Sequence, residues 1–159
     1  MRSKKVVFVV GLVLVVVALA TAFPTITNRS EKEIVTRSLN LALVKQELPD
    51  YKILKKRNPI ILSTENIAPD LIPNLPGVNL TILSPAEIQN KADAEGDYLY
   101  LRFTQLRIGT LMSTVSLDNV WVRSKDSKTF YLSGGGLKLR YYNLFGFWIQ
   151  SPYIGRWIS

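Results

Sequence analysis

The feature that most constrains this chain is a run of seventeen uncharged residues, numbers 6–22, which follows directly on three basic residues. The run is rich in valine, so a helix formed by it would be apolar on every face. Such a helix suits a lipid bilayer better than the interior of a small soluble domain. Arg2, Lys4 and Lys5 before the run predict that the N-terminus stays cytoplasmic and that the residues after the run are exported.

Two interpretations of this segment follow from its details. Residues 18–22 contain two small-x-small sites and Pro24 comes just beyond them, an order typical of a cleavable secretory signal. The apolar run also reaches the lower limit for a helix that spans a membrane, so a retained signal-anchor is the alternative. We therefore divide the chain into a signal peptide or signal-anchor helix, 1–24, and a single exported domain, 25–159. Cleavage predicts a secreted or periplasmic protein. Retention predicts a single-pass protein that contacts the membrane through residues 6–22.

Two helices are predicted in the exported domain. Ser30 and Glu33 have the spacing of a capping box, and the apolar periodicity after them predicts an amphipathic helix over about 30–47. The sequence Ser-Pro-Ala-Glu at 84–87 combines an N-cap, a proline at the first helical position and a second capping box. It predicts a short helix over 85–95, which ends at a glycine.

The remaining sequence predicts strands. We expect residues 50–57 to turn into a short strand, strands over 59–63 and 80–83, and an antiparallel meander from residue 98 to the C-terminus. Within the meander, residues 134–136 read as a glycine turn between strands at 129–133 and 137–142, and Trp148 and Trp157 read as buried strand residues. The predicted fold class is α+β: an N-terminal membrane or signal helix, then one domain with an amphipathic helix and a short second helix packed on a curved antiparallel sheet.

Composition excludes several kinds of chemistry. The 159 residues contain no cysteine and no histidine, which excludes disulfides, Cys/His zinc sites, haem ligated by either residue, and catalysis that uses either. A pair of catalytic carboxylates needs two acids in one cleft, and only Asp118 is well placed on a predicted strand. We therefore name no catalytic, cofactor-binding or metal-ligating residue, and expect no cofactor and no enzymatic activity.

The basic residues are the remaining candidates for binding. The chain has a formal net charge of +8, and residues 98–159 hold eight basic residues against two acidic ones. A local run of Lys52, Lys55, Lys56 and Arg57 predicts a contact with an anionic surface or an acidic partner. The alternative is a solvated loop and strand edge, where lysines discourage strand pairing. Export argues against nucleic acid as the partner.

Two functions are compatible with these observations. The first is a small non-catalytic binding or accessory protein, exported or anchored in a membrane, whose partner is a protein or a small ligand. The second is an accessory subunit of a membrane complex, held there by an uncleaved N-terminal helix. An enzyme that uses carboxylates is the weakest alternative, because the acids do not cluster in the sequence.

The analysis of the N-terminus predicts that residues 1–24 are separable from the fold. A chain of residues 25–159 should be soluble and should unfold cooperatively, because the deleted apolar surface suits a bilayer and not the domain. Thermal unfolding followed by circular dichroism measures this. Aggregation of that chain, under conditions where the full chain folds in detergent, would contradict the prediction.

Overall fold

The structure is a computed structural model that describes residues 29–131 and 134–158. The predicted signal or anchor helix, residues 1–24, lies outside the described residues. Within the described ranges, no helix has both the length and the apolar character needed to cross a bilayer.

Three helices, a short 3₁₀ helix at Pro69–Leu71 and seven strands make up the described fold. The first helix, α1, comprises α-helical residues 29–39 and a π-helical turn at Asn40–Val44. The elements that follow are α2 (Tyr51–Lys55), β1 (Ile60–Ser63), β2 (Leu80–Leu83), α3 (Pro85–Glu95), β3 (Tyr98–Arg107), β4 (Met112–Val122), β5 (Gly135–Leu144), β6 (Phe147–Gln150) and β7 (Gly155–Ile158). The amphipathic helix is confirmed, but its predicted N-cap is wrong because residues 29 and 30 are already helical.

The second predicted helix is confirmed in detail. The Ser84 hydroxyl accepts from the Glu87 N–H, and the Glu87 carboxylate accepts from the Ser84 N–H, which completes the capping box. Pro85 lies at the start of α3, where a missing N–H costs nothing. The helix ends at Gly96, whose positive φ of 96° suits a residue without a side chain.

The α+β class is confirmed, but the sheet is mixed and not wholly antiparallel. Its strand order is β2-β1-β3-β4-β5, and the far side of β5 pairs with β6 along one half and with β7 along the other. β1 runs parallel to both β2 and β3. Two crossover connections are the reason. Residues 64–79 return the chain to the end where β1 began, and α3 returns it to the end where β2 began, so each next strand runs in the same direction.

Two shorter expectations about secondary structure are also wrong. The segment predicted as a turn and strand at 50–57 contains the helix α2. Residues 129–131 are not in a strand, and the rest of the strand predicted at 129–133 lies outside the described residues. The predicted glycine turn is the beginning of β5, with Gly135 and Gly136 both paired to β4.

The glycines at the start of β5 allow close approach on both faces of the strand. A side-chain carbon added at Gly135 would lie 2.8 Å from the carbonyl oxygen of Pro49, in the connection between α1 and α2. One added at Gly136 would collide with the indole ring of Trp157. Close packing, and not a phosphate-binding loop or a hairpin turn, therefore explains these two glycines.

One face of the sheet packs against α1. Side chains at alternate positions of β3, β4 and β5 are buried there together with the apolar side of α1: Leu99, Leu101, Phe103, Val115, Leu117, Leu137, Leu139, Tyr141, Ile34, Val35, Leu39 and Ala42. The Tyr141 hydroxyl lies 2.9 Å from the Ser38 hydroxyl inside this core, and the Arg37 guanidinium donates to the Trp148 carbonyl oxygen at 2.6 Å. These contacts fix α1 against β5 and β6.

The two C-terminal tryptophans differ in burial. Trp148 is 3% exposed and belongs to the core, as predicted. Trp157 is 38% exposed, and its ring covers Gly136 on the opposite face of the sheet, so the prediction that it is a buried core residue is wrong. The alternation along β7 alone did not reveal that the strand's partner at this point is a glycine.

We predict that Trp148→Ala destabilises the fold far more than Trp157→Ala. Truncation of a buried tryptophan leaves a cavity and costs about 3–5 kcal/mol, which lowers the melting temperature of a domain of this size by about 10 °C or more. Trp157→Ala should cost a fraction of that. Thermal unfolding of the two variants measures the difference, and equal melting temperatures would contradict the assignment of Trp148 to the core.

Candidate functional site

The structure places the predicted basic run on and just after the short helix α2. Lys52, Lys55 and Lys56 are exposed there. Arg57 is half-buried, and its guanidinium carbon lies 5.2 Å from the centroid of the Tyr98 ring and 5.5 Å from a ring of Trp121. Arg57 therefore makes cation–π contacts within the fold, and the three lysines form the accessible part of the predicted cluster.

Arg57 belongs to an aromatic cluster at the end of the sheet where β4 finishes. Trp121 and Tyr131 stack with ring centroids 3.9 Å apart and planes 7° from parallel. The Tyr131 hydroxyl donates to Asp97 at 2.7 Å, and this hydrogen bond to a carboxylate raises the pKa of Tyr131. The cluster holds the segment after β4 close to the start of β3.

Asp97 is the centre of that arrangement. Besides Tyr131, its carboxylate accepts from the Ser124 N–H at 2.8 Å and from the Ser127 hydroxyl at 2.5 Å. These hydrogen bonds favour the charged form of the carboxyl and lower the pKa of Asp97 to about 2, and the bond from the Ser127 hydroxyl has the largest effect. The three hydrogen bonds to this carboxylate account for its low pKa without a catalytic role. They make Asp97 a structural anchor for the β4–β5 connection.

A different set of basic residues lies on the sheet face opposite α1. Residues that pair across β3, β4 and β5 share a face, and two adjacent rows of this pairing are Arg107–Thr114–Arg140 and Gln105–Ser116–Lys138. The second row continues to Gly155 of β7. We call Arg107, Lys138 and Arg140 the cationic face. Neighbouring strands lie about 4.8 Å apart and alternate residues of one strand about 7 Å apart, so these three charges occupy one small area.

The three charges are not neutralised within the described fold. Among residues 29–131 and 134–158, no ion pair involves Arg107, Lys138 or Arg140. All three are exposed, and they line an open groove of about 880 Å³. Lys138 and Arg140 also line a neighbouring groove of about 310 Å³ together with Tyr153. Like charges held this close repel one another, so an anionic partner would be bound favourably.

The acidic residue of this face lies at its edge and is already engaged. Asp118 pairs with Arg102 across the strands and accepts from the Thr104 hydroxyl at 3.3 Å. Burial raises the pKa of Asp118, and the Thr104 hydrogen bond opposes that effect. Arg102 in turn lies 3.4 Å from Glu65. In the described part of the chain, no group of three or more acidic side chains is placed to hold a metal ion.

Sequence reasoning missed the cationic face. The sequence shows the excess of basic residues in 98–159, but Lys52, Lys55 and Lys56 lie much closer together along the chain than Arg107, Lys138 and Arg140 do. In a strand the side chains of one face are two residues apart, as in Lys138 and Arg140, and a face also gathers residues from neighbouring strands. The signal that could have found this face is a basic residue at alternate positions of a strand whose other positions are apolar.

Comparison with known proteins gives a partial likeness. Cytochrome c biogenesis protein Ccs1 of Rhodomonas salina is 31% identical to this chain over 96 residues, which are 60% of the chain. The match covers 22% of the length of that protein, so this chain corresponds to only a part of it. No family model matches the chain, and no solved structure matches it.

The low pKa of Asp97 predicts a pH-dependent contribution to stability. Since folding lowers this pKa from its usual value of 3.8 to about 2, the contribution is complete above about pH 4 and is lost as the pH falls to about 2. Asp97→Asn should therefore melt below wild type at neutral pH, and the gap should narrow across that acidic range. Thermal unfolding at a series of pH values measures the gap. Asp126→Asn, at an exposed acid of the same connection, should show no such gap.

Proposed function

We propose that this chain is a non-catalytic accessory protein of cytochrome c biogenesis, held at the extracytoplasmic side of a membrane by residues 6–22. The observation that carries the proposal is the 31% identity to a cytochrome c biogenesis protein over 60% of the chain. This identity favours the second of the two functions considered above, an accessory subunit of a membrane complex, over the first, a free exported binding protein. The apolar run that follows three basic residues supports the same choice.

The chemistry of the chain supports a binding role. Covalent attachment of haem to a c-type cytochrome uses the cysteines of a Cys-x-x-Cys-His motif. These 159 residues contain no cysteine, so they cannot exchange disulfides with such a motif. A contribution of this chain to the process would then come through the surfaces that it presents to other components.

The cationic face is the surface that we assign to an acidic partner. Lys138 and Arg140 extend from the same side of β5, are exposed, and have no ion pair with a described residue. Tyr153 beside them adds an exposed aromatic ring. The contact predicted for Lys52, Lys55, Lys56 and Arg57 stays a prediction, and the experiment below compares the two basic surfaces.

We predict that loss of this chain lowers the amount of haem-bearing c-type cytochrome in the organism that encodes it. Haem staining of membrane proteins separated under denaturing conditions measures that amount, because covalently bound haem survives the separation. The full chain supplied in trans should restore it. Unchanged c-type cytochromes in the deletion strain would overturn the proposed function.

Charge reversals then separate the two basic surfaces. The double variant Lys138→Glu with Arg140→Glu should restore haem staining poorly, whereas Lys52→Glu with Lys55→Glu should restore it fully. Both pairs lie at exposed positions and change the net charge equally, so they are matched controls for each other. The opposite result would move the partner contact from the cationic face to α2.

A further inference from the structure

Two hairpin turns at one end of the sheet carry exposed apolar side chains. The Asn143 N–H donates to the Leu111 carbonyl oxygen at 2.9 Å, so the β3–β4 and β5–β6 turns lie side by side. Phe145 is fully exposed, and large fractions of the neighbouring apolar side chains are exposed as well: Leu111 and Phe147 75%, Leu144 52% and Met112 50%. We call these five residues the hairpin tips. Apolar side chains grouped in this way indicate a contact outside the fold.

The Phe145 ring is fully exposed and does not pack against the described fold. It has a φ of 54° and is followed by Gly146 with a φ of 90°, so both central residues of the turn are in the left-handed region. Asparagine and glycine favour that region, whereas a bulky side chain is strained there. The phenylalanine adds strain to the turn and buries no surface against the domain, so its apolar ring is explained by a partner.

The described chain begins at the same end of the sheet. Pro49 accepts from Asn119 at 2.9 Å, next to the beginning of β5, and Ser38 meets Tyr141 farther along that strand. The helix α1 therefore runs antiparallel to β5. From Ser38 back to residue 29 the helix rises about 13 Å, and from Tyr141 to the β5–β6 turn the strand advances about 10–13 Å. Residue 29 thus lies level with the hairpin tips.

Only a short length of chain connects the apolar run of residues 6–22 to the start of α1, beside the hairpin tips. Six residues lie between Ala22 and Arg29, and the seven Cα–Cα steps that join these two residues span at most about 25 Å when fully extended. A bilayer that held residues 6–22 would therefore lie close to the end of the domain that carries the hairpin tips. Arg107, at the end of β3 beside these tips, is exposed and suits the anionic headgroups of lipids.

We propose that the folded domain rests on a lipid bilayer through the hairpin tips, with Phe145 inserted at the boundary between headgroups and acyl chains. Aromatic and aliphatic side chains with a basic residue behind them are the composition that binds this zone. The contact orients the sheet end-on to the membrane, so Lys138 and Arg140 of the cationic face stand along the side of the domain, accessible to other proteins. The proposal does not depend on a role in cytochrome c biogenesis.

The test uses the full chain reconstituted in vesicles of phosphatidylcholine and phosphatidylglycerol. Because the sequence has no cysteine, single variants carry one environment-sensitive fluorophore each. Leu111→Cys places it at the tips and keeps Phe145, and Asp126→Cys places it in the connection at the opposite end of the sheet. The label at 111 should be quenched by nitroxide-bearing lipid and shielded from aqueous iodide, and the label at 126 should behave in the opposite way.

Three results would overturn the proposal. The first is a label at 111 that is as accessible to iodide as the label at 126. The second is a full chain that does not float with the vesicles. The third is shielding at 111 that rises with protein density and is insensitive to nitroxide lipid, which would assign the tips to a second copy of the chain. Failure to float would also count against anchoring by residues 6–22, whereas the first and third results concern the hairpin tips alone. No readout involves cytochromes, so none of the three bears on the role in cytochrome c biogenesis.

A second variant separates membrane contact from folding. Phe145→Asn places a residue that favours the left-handed region in the turn, so its melting temperature should equal or exceed that of wild type. A fluorophore at Leu111→Cys should lose its quenching by nitroxide lipid when Phe145→Asn is added. A lower melting temperature for Phe145→Asn would assign Phe145 to the fold. Unchanged quenching at 111 would show that the ring does not hold the tips to the bilayer, and either result would overturn the proposal.

Discussion

The arrangement of helix and sheet depends on one buried amide. Asn119, on β4, is 2% exposed, donates to the Pro49 carbonyl oxygen and accepts from the Gly135 N–H. Each of these groups would cost free energy if it were buried without a partner. The amide therefore fixes three parts of the chain at one point: the end of the α1 connection, the middle strand and the start of β5. Gly135 has no side chain, which allows Pro49 to come that close.

The two faces of the sheet differ in what covers them. Along β5, Leu137, Leu139 and Tyr141 pack under α1, while Lys138 and Arg140 extend to the other side. In the described part of the chain no helix pairs charge with those two cations, and they stay exposed. The hydrophobic effect accounts for the first face, and the second is left available for a charged partner.

The two ends of the sheet also differ from each other. The hairpin tips and the beginning of the described chain lie together, whereas the aromatic cluster around Trp121 and the Asp97 anchor lie at the other end. A domain oriented by its tips would hold the anchored β4–β5 connection away from the bilayer. Under the proposed function, the surfaces that this orientation leaves exposed would contact other components.

The sequence by itself determined the features that arise within a few residues of each other. The cap at Ser84 and the alternation of Leu99, Leu101 and Phe103 are of this kind, because helix caps and strand faces depend on local spacing. Only the tertiary structure decided which strands pair in parallel, why Gly136 has no side chain beneath Trp157, and which basic residues share a face. Those features join residues distant in the chain, and no local pattern encodes which distant partner each will meet.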